Sequence, residues 1–408
     1  MIIYLMNKCS KGGVKVDERI ILHCDLNNFF ASVSLLFNPT LVNMPVAVGG
    51  DKENRHGIIL AKNEIAKKFG VKTAEPIFEA QRKCADLVIL PAIYEKYEEY
   101  SFKAQQIYAR YTDLIEPFGI DECWLDVTGS TLLFGGGEEI ANKIRTDIKR
   151  ELGLTISVGV SFNKVFVKLG SDLKKPDAVT VITKENFKQK LWNLPISDLL
   201  FVGKNTASKL NSIGVKTIGD ITLCDDKTLN RLLGKNGVDI KRYALGEDVS
   251  PVVPMTKDSK PKSIGKSVTC AKDFTNNDEV WKAFLEFAEK ISYTLRENDL
   301  FAGGVQVHIR TSSLVVREFS KTYKTSTNSA LIIAKRGFEL FCENYNFAEA
   351  LRSVGLRAIN LKEQQITAFQ QDIFGEAENE NHNEKIEDSI YKVRKKFGDS
   401  SIKRGTIV

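Results

Sequence analysis

Two adjacent carboxylates, Asp121 and Glu122, stand between a turn-like Phe118-Gly119 and the strand-forming run Cys123-Trp124-Leu125. Carboxylates held side by side repel unless a cation sits between them, and the simplest such cation is a metal ion. At a hairpin tip their oxygens converge, and hard oxygen ligands suit Mg²⁺ or Mn²⁺. A further carboxylate, Asp25, ends the apolar run Ile20-Ile21-Leu22-His23-Cys24 and precedes a helix-like segment. Taken singly, Asp25 reads as a helix cap and the Asp-Glu pair as a solvated turn. Together, two strand-end carboxylate sites are the donor set of a two-metal phosphoryl-transfer centre.

Asp25 heads the stretch Asp25-Leu26-Asn27-Asn28-Phe29-Phe30-Ala31-Ser32-Val33, with two aromatics just past the acid. With the Asp121-Glu122 tip, this stretch resembles the Y-family, translesion DNA polymerases, in their DNA polymerase IV-like branch. The resemblance runs from about Ile20 to Leu361. It implies that a primer 3′-hydroxyl attacks the α-phosphate of an incoming deoxynucleotide with the help of two Mg²⁺ ions, Mn²⁺ being an alternative. It implies that Asp25 and Asp121 bridge both ions, that Glu122 ligates the one that activates the hydroxyl, and that the Leu26 carbonyl completes the nucleotide-bound site. Phe29 and Phe30 are placed at the nucleotide, Phe30 beneath its sugar as a gate against ribonucleotides. Both could instead be core, but helical neighbours ~100° apart cannot face the same way. Lys175, in Lys174-Lys175-Pro176, matches a lysine that reaches the triphosphate, and Asp126 matches a structural position. Lys164 and Lys168, four apart on one helix face, are candidates for the primer-template backbone.

Two departures from the family pattern stand out. Where most members carry Tyr-Glu-Ala-Arg to grip the triphosphate, this chain has Glu64-Ile65-Ala66-Lys67. Lys67 keeps a positive charge but lacks the bidentate fork of Arg. Ser34 stands where a glutamate usually follows the Phe-Tyr-Ala-x-Val run.

The elements that must position these residues alternate. Strands are expected at 20–25, 45–48, 57–61, 87–90, 123–125 and 154–161. Helices are expected to Leu36 with Asn27 and Asn28 as caps, at 63–69, 94–111, 138–152 and 163–173. The predicted fold is mixed α/β: a right-hand polymerase with an N-terminal extension (1–18), a ferredoxin-like palm (19–194) and small fingers inserted at about 27–90. A helical thumb follows (195–247), its glycine-punctuated Val202-Gly203-Lys204 reading as a helix-hairpin-helix turn for DNA phosphate or as a plain turn. Next comes a lysine-rich linker (248–262), either solvated or DNA-facing, that includes Lys262. The resemblance implies a little finger (263–362), expected as a four-stranded sheet backed by two helices, with Arg310, Arg317, Lys321, Lys324 and Arg357 as candidates for its DNA-facing side and Lys266, with Lys262 in the lysine-rich stretch, as a further DNA contact. In Gly304 to Arg310 strict alternation puts Gln306, His308 and Arg310 on one face and Val305, Val307 and Ile309 on the other. Residues 363–408 read as a tail: Gln365-Ile366-Thr367-Ala368-Phe369 resembles peptides that dock on a sliding clamp through anchors such as Ile366 and Phe369, and 375–388 reads as a disordered tether before a short helix.

Composition sets outer limits. The chain has 408 residues, 58 Lys and Arg against 52 Asp and Glu, and a net charge of +6, so nucleic-acid binding requires local concentration of the basic residues. Its seven cysteines show no Cys-x-x-Cys pair, which leaves neither a zinc site nor a disulfide framework and fits a reducing cytoplasm. No apolar run is long enough to span a membrane or act as a signal peptide. A monomer working on primer-template DNA and deoxynucleoside triphosphates is expected. A nucleotidyl cyclase on a palm-like sheet and a non-catalytic DNA-binding scaffold are the rivals. The first has no use for a basic sheet domain, and the second no use for three carboxylates. No separate acidic cluster is left for a proofreading exonuclease, which with small fingers favours low-fidelity synthesis across damaged templates, as the resemblance implies.

Overall fold

The computed structural model describes residues 19–50, 57–254, 260–363, 376–398 and 401–402, with backbone alone for 376–385. The chain divides into two compact units, the first holding the described residues 19–50 and 58–254 and the second Gly57 with the described residues from 260 onward.

In the first unit β1 (Ile21–Leu26) leads into α1 (Phe29–Leu36), followed by β2 (Val46–Gly49), β3 (Ile59–Lys62), α2 (Glu64–Lys68), α3 (Ile77–Lys83), β4 (Val88–Pro91) and α4 (Tyr94–Tyr108). Then come β5 (Ile115–Pro117), β6 (Glu122–Asp126), α5 (Thr131–Phe134), α6 (Gly137–Leu152), β7 (Ile156–Ser161), α7 (Lys164–Leu173), β8 (Val179–Val181) and α8 (Phe187–Leu191). A five-stranded sheet in the order β5-β6-β1-β7-β8 forms the palm, and a three-stranded sheet, β3-β2-β4, forms the fingers. As the central strand, β1 is buried along its whole length and pairs antiparallel with both β6 and β7. Its alternate residues serve two layers. Leu22, Cys24 and Leu26 join Cys123, Leu125, Ile156 and Val158 in a core closed by α1, α4 and α6 through Val33, Tyr97, Ile107, Ile140 and Ile144. On the opposite face lies α7.

That helix lies close to the sheet because of two glycines. A Cβ on Gly159 of β7 would meet the Val167 carbonyl oxygen at 1.9 Å, and one on Gly170 of α7 would meet the Gly159 Cα at 3.2 Å. Asn163 caps the helix, its side-chain oxygen accepting from Phe166 N at 2.8 Å. The expected caps of α1 differ. Asn28 is the N-cap but sits at φ 50° without a side-chain cap bond, while Asn27 donates to Ser157 Oγ (2.9 Å) and accepts from Asp177 N (2.8 Å), tying the loop that follows α7 to the palm.

Four short helices follow: α9 (Lys204–Ser212), α10 (Ile218–Thr222), α11 (Asp226–Leu233) and α12 (Lys235–Ala244). Leu210, Ile218, Ile221, Leu229 and Ile240 pack in one cluster with Phe166 and Leu169 of α7.

The second unit contains β9 (Ile264–Phe274), α13 (Asn277–Glu297), β10 (Phe301–Thr311), β11 (Val316–Thr327), α14 (Ala330–Asn344), β12 (Leu351–Lys362) and α15 (Glu376–Phe397). Its sheet runs β11-β10-β12-β9, all antiparallel, with Phe284, Ile291, Ile333 and Phe341 of α13 and α14 packed on one face. This is the four-stranded sheet on two helices that the sequence predicts. The tail departs from expectation: residues read as a tether from 376 onward are helical. Polar composition does not prevent this, because the helix has docking contacts. Glu387 accepts from Ala330 N at 3.0 Å at the α14 N-terminus, and Arg394 pairs with Glu289 at 2.9 Å.

Candidate active site

On the α7 side of the palm, β1 presents His23 and Asp25, and β6 presents Glu122 and Trp124. Asp25 and Glu122 are register partners on neighbouring strands, and Asp121 adjoins them at the tip of the β5–β6 hairpin, its carbonyl accepting from Leu26 N at 3.0 Å. The hairpin expected from Phe118-Gly119 is therefore present, and it brings the two halves of the carboxylate set together.

Lysines occupy the space between the acids. Lys168 Nζ lies 3.2 Å from Asp25 Oδ2, 2.9 Å from Glu122 Oε1 and 3.4 Å from Asp172. Lys175 Nζ lies 2.7 Å from Asp25 Oδ2 and 2.8 Å from Asp172. His23, fully buried, contacts Ser171 Oγ through Nδ1 at 2.9 Å and faces Glu122 through Nε2 at 3.4 Å. Sequence reasoning missed His23 as a site residue. The available signal was its place two residues before Asp25, which on a strand puts both on one face.

These surroundings push the acids apart. Burial raises the Asp121 carboxyl to about 6, with Asp25 and Glu122 adding repulsion. Burial also raises Asp25, against the pull of Lys175 and Lys168. Burial acts in the same direction on Glu122, but His23 and Lys168 beside it prevail and hold its carboxyl down to about 2. Lys168 and Lys175 resist the same desolvation and have raised pKa values because Asp25 leads the acids that hold their protons.

Among the described residues no three His, Cys, Asp or Glu side chains form a ready-made metal cage. Asp25 and Glu122 nevertheless share one cationic nitrogen. Mg²⁺ ordinarily takes one or two carboxylates and fills its remaining positions with water and substrate phosphate. The donor set fits that requirement, with Asp121 and the Leu26 carbonyl adjoining.

Several expected contacts are redirected. Lys164 does not extend outward for DNA: its ammonium is 2.6 Å from Glu116 and lies 4.2 Å from the Trp124 ring centroid. Lys168 belongs to the carboxylate cluster for the reason just given. Phe29, expected at the nucleotide, is 2% exposed in the palm core. Phe30 is half-buried, stacked on Tyr97 at 4.2 Å and 10°. Lys67 is exposed and 3.5 Å from Glu64, which also accepts from Asn28 at 2.9 Å. Ser34 is buried, 2.8 Å from the Tyr97 hydroxyl. Asp126 has the structural role read for it, accepting from Thr128 N at 3.0 Å.

Elsewhere, Gly203 is the N-cap of α9 and offers no side-chain cap bond, and Gly203, Lys204 and Asn205 are exposed. In the second unit, Gln306, His308 and Arg310 share the helix-free face of the sheet. Arg357 joins them as the partner of Gln306, and His308 pairs with Glu318 at 3.2 Å. Lys266 and Arg317 differ from the expectation, since their register partners are the core residues Leu356 and Ile309. Period-two alternation turns both toward the helix-bearing side. Lys262 is exposed just before β9. Gln365, Ile366 and Phe369 lie outside the described residues.

Comparison with known proteins accords with this geometry. Residues 24–172 match the impB/mucB/samB family, and residues 261–373 match the C-terminal domain of that family. DNA polymerase IV of Acetivibrio thermocellus is 46% identical over 391 residues, spanning 96% of this chain and 98% of that protein. DNA polymerase IV 1 of Bacillus subtilis is 34% identical over 388 residues, 95% of this chain and 93% of that protein. Among solved structures, a Y-family DNA polymerase chimera of Dbh and Dpo4 superposes with a TM-score of 0.75, covering 85% of this chain and 100% of the chimera at 23% identity, a likeness of fold. Neither a cyclase nor a non-catalytic scaffold is favoured by relatives of this extent. The chain belongs to the Y-family DNA polymerases, DNA-directed enzymes, in their DNA polymerase IV branch.

Proposed function

We propose that this chain adds deoxynucleotides to a primer 3′ end, using Asp25, Asp121, Glu122 and the Leu26 carbonyl to hold two Mg²⁺ ions. The observation that carries the proposal is the pairing of Asp25 with Glu122 across β1 and β6 around one shared cation, with Asp121 at the adjoining tip. The ions, when bound, neutralise phosphate charge and lower the pKa of the attacking hydroxyl. Lys175 and Lys168 keep the carboxylates ionised and close before substrate arrives. Lys175, on the rim, then turns its ammonium from Asp25 to the triphosphate. Phe30 lies beneath the sugar.

The fingers are a three-stranded sheet with two short helices, too little to enclose a base pair tightly, which supports low-fidelity synthesis across damaged templates. The exposed turn at Gly203, together with Lys262, Arg310 and Arg357, serves as backbone contacts to primer-template DNA. Residues 365–369 dock on a sliding clamp. The six cysteines among the described residues are free thiols, in keeping with a cytoplasmic site of action, and no described helix is long and apolar enough to cross a membrane. Primer extension with Mg²⁺ and single deoxynucleotides, on intact and abasic templates, tests the proposal. Template-directed addition on the intact template together with extension past the abasic site supports it, whereas untemplated addition on the intact template or no addition contradicts it.

A further inference from the structure

Ser34, the departure with no evident purpose in the sequence, lies in the second turn of α1 and is 1% exposed. Its hydroxyl is 2.8 Å from the Tyr97 hydroxyl, a bond made inside the palm core. Tyr97 is itself fully buried and belongs to α4, a different element. The ring of Tyr97 is the surface on which Phe30 rests, 4.2 Å away and nearly parallel, while Tyr94 meets Phe30 edge-on at 6.0 Å. Phe29 meets Tyr97 at 6.2 Å and Phe30 at 5.9 Å, so the three rings form one cluster. The end of α1 is held in turn by Asn38, which donates to the Ser34 carbonyl at 2.8 Å. One hydrogen bond between α1 and α4 therefore sets the height and tilt of the ring beneath Phe30.

We propose that Ser34 is a positioning residue for sugar selection: by anchoring the Tyr97 hydroxyl it fixes the platform that holds Phe30 against the 2′-position of the incoming nucleotide. This rests on Phe30 lying beneath the sugar. A gate works only if the ring cannot recede when a 2′-hydroxyl presses on it. The stacked ring behind Phe30 can recede only by breaking the bond to Ser34, which would leave a buried hydroxyl unpaired. The glutamate that the family usually carries here is longer and ionisable, whereas Ser34 reaches Tyr97 while remaining neutral in the core, where a charge would be costly.

The test is the ratio of kcat/KM for a deoxynucleotide to that for its ribonucleotide, measured in Ser34→Ala, Ser34→Thr, Tyr97→Phe, the Ser34→Ala/Tyr97→Phe pair and Phe30→Ala. Losing one buried hydrogen bond and orphaning its partner should lower the ratio about tenfold in Ser34→Ala, through faster ribonucleotide use. Ser34→Thr, which keeps the hydroxyl, should restore it. The double variant should lose no more than either single variant, since both remove the same bond. A wild-type ratio in a folded Ser34→Ala enzyme, alongside a relaxed ratio in Phe30→Ala, overturns the role of Ser34 and leaves the gate standing. Additive losses in the double variant, or equal losses for both sugars, also overturn it. An unchanged ratio in Phe30→Ala overturns the gate and this inference together.

Discussion

At the scale of single residues, the site holds charge in an arrangement that costs stability. Asp121 ionises near 6 in the folded protein against an ordinary value of 3.8, chiefly because of burial. The folded state thus holds that proton more tightly than the unfolded state, and the stability linked to this group is present below pH 3.8 and is lost as pH rises through about 6. Glu122 behaves oppositely: held at about 2 against 4.5, it contributes stability above pH 4.5 that is lost as pH falls through about 2. Asp121→Asn should therefore raise the melting temperature at pH 7 in chelator, by a free energy of order 1 kcal/mol after solvent screening. The gain should vanish at pH 3.5, and thermal melts across that range decide it. The two phenylalanines separate in the same way. Phe29→Ala should cost about 3–5 kcal/mol of stability, as truncation of a buried aromatic does, whereas Phe30→Ala, at a half-buried position, should chiefly alter sugar selection. Denaturant unfolding distinguishes them. The carboxylates were legible in the sequence because acids between strand formers demand an explanation. His23 and the Ser34–Tyr97 bond were not, because their meaning depends on partners far along the chain.

At the scale of elements, the period-two pattern of β10 was readable and divided polar residues from core, so Gln306, His308 and Arg310 emerge on one face as expected. What alternation within a strand cannot supply is the register between strands. Arg317 was grouped with Arg310 and Arg357 by charge, and pairing with Ile309 turns it to the other side, as pairing with Leu356 does Lys266. Arg357→Ala should reduce the slope of log affinity for DNA against log salt by about 0.9, and Arg317→Ala should leave it nearly unchanged. Titrations at several salt concentrations check this, and a larger effect of Arg317 would mean that the wrong face was chosen. The seating of α7 depends on Gly159, whose missing Cβ admits the Val167 carbonyl. Gly159→Ala should push the helix outward, take Lys168 and Lys175 from the acids and lower both incorporation rate and melting temperature, whereas substitution at the open position Gly129 should do neither.

At the scale of the whole molecule, the palm, the small fingers, the helical segment with its exposed turn and the sheet domain with its polar face are the parts from which we propose a polymerase that grips the DNA backbone and checks little. Fold class and activity could be read from the sequence because the carboxylate motifs are specific. Of the tail, the short helix near its end was readable, but its extension back to 376 was not, and Glu387 and Arg394 of α15 are held by contacts with α13 and α14 far along the chain. Truncation after Lys362 would remove that docked helix as well as the segment proposed to dock on a sliding clamp, so Ile366→Ala with Phe369→Ala is the cleaner test of clamp stimulation. The most direct test of the central claim is single-turnover incorporation by the Asp121→Ala/Glu122→Ala variant, with primer-template affinity measured on the same preparation. Incorporation should fall by at least about 10³-fold, the scale of losing electrostatic stabilisation of the reacting phosphate, while DNA affinity stays within about threefold because the phosphate contacts lie elsewhere. Incorporation near the wild-type rate would contradict the assignment of these carboxylates as the metal-holding centre.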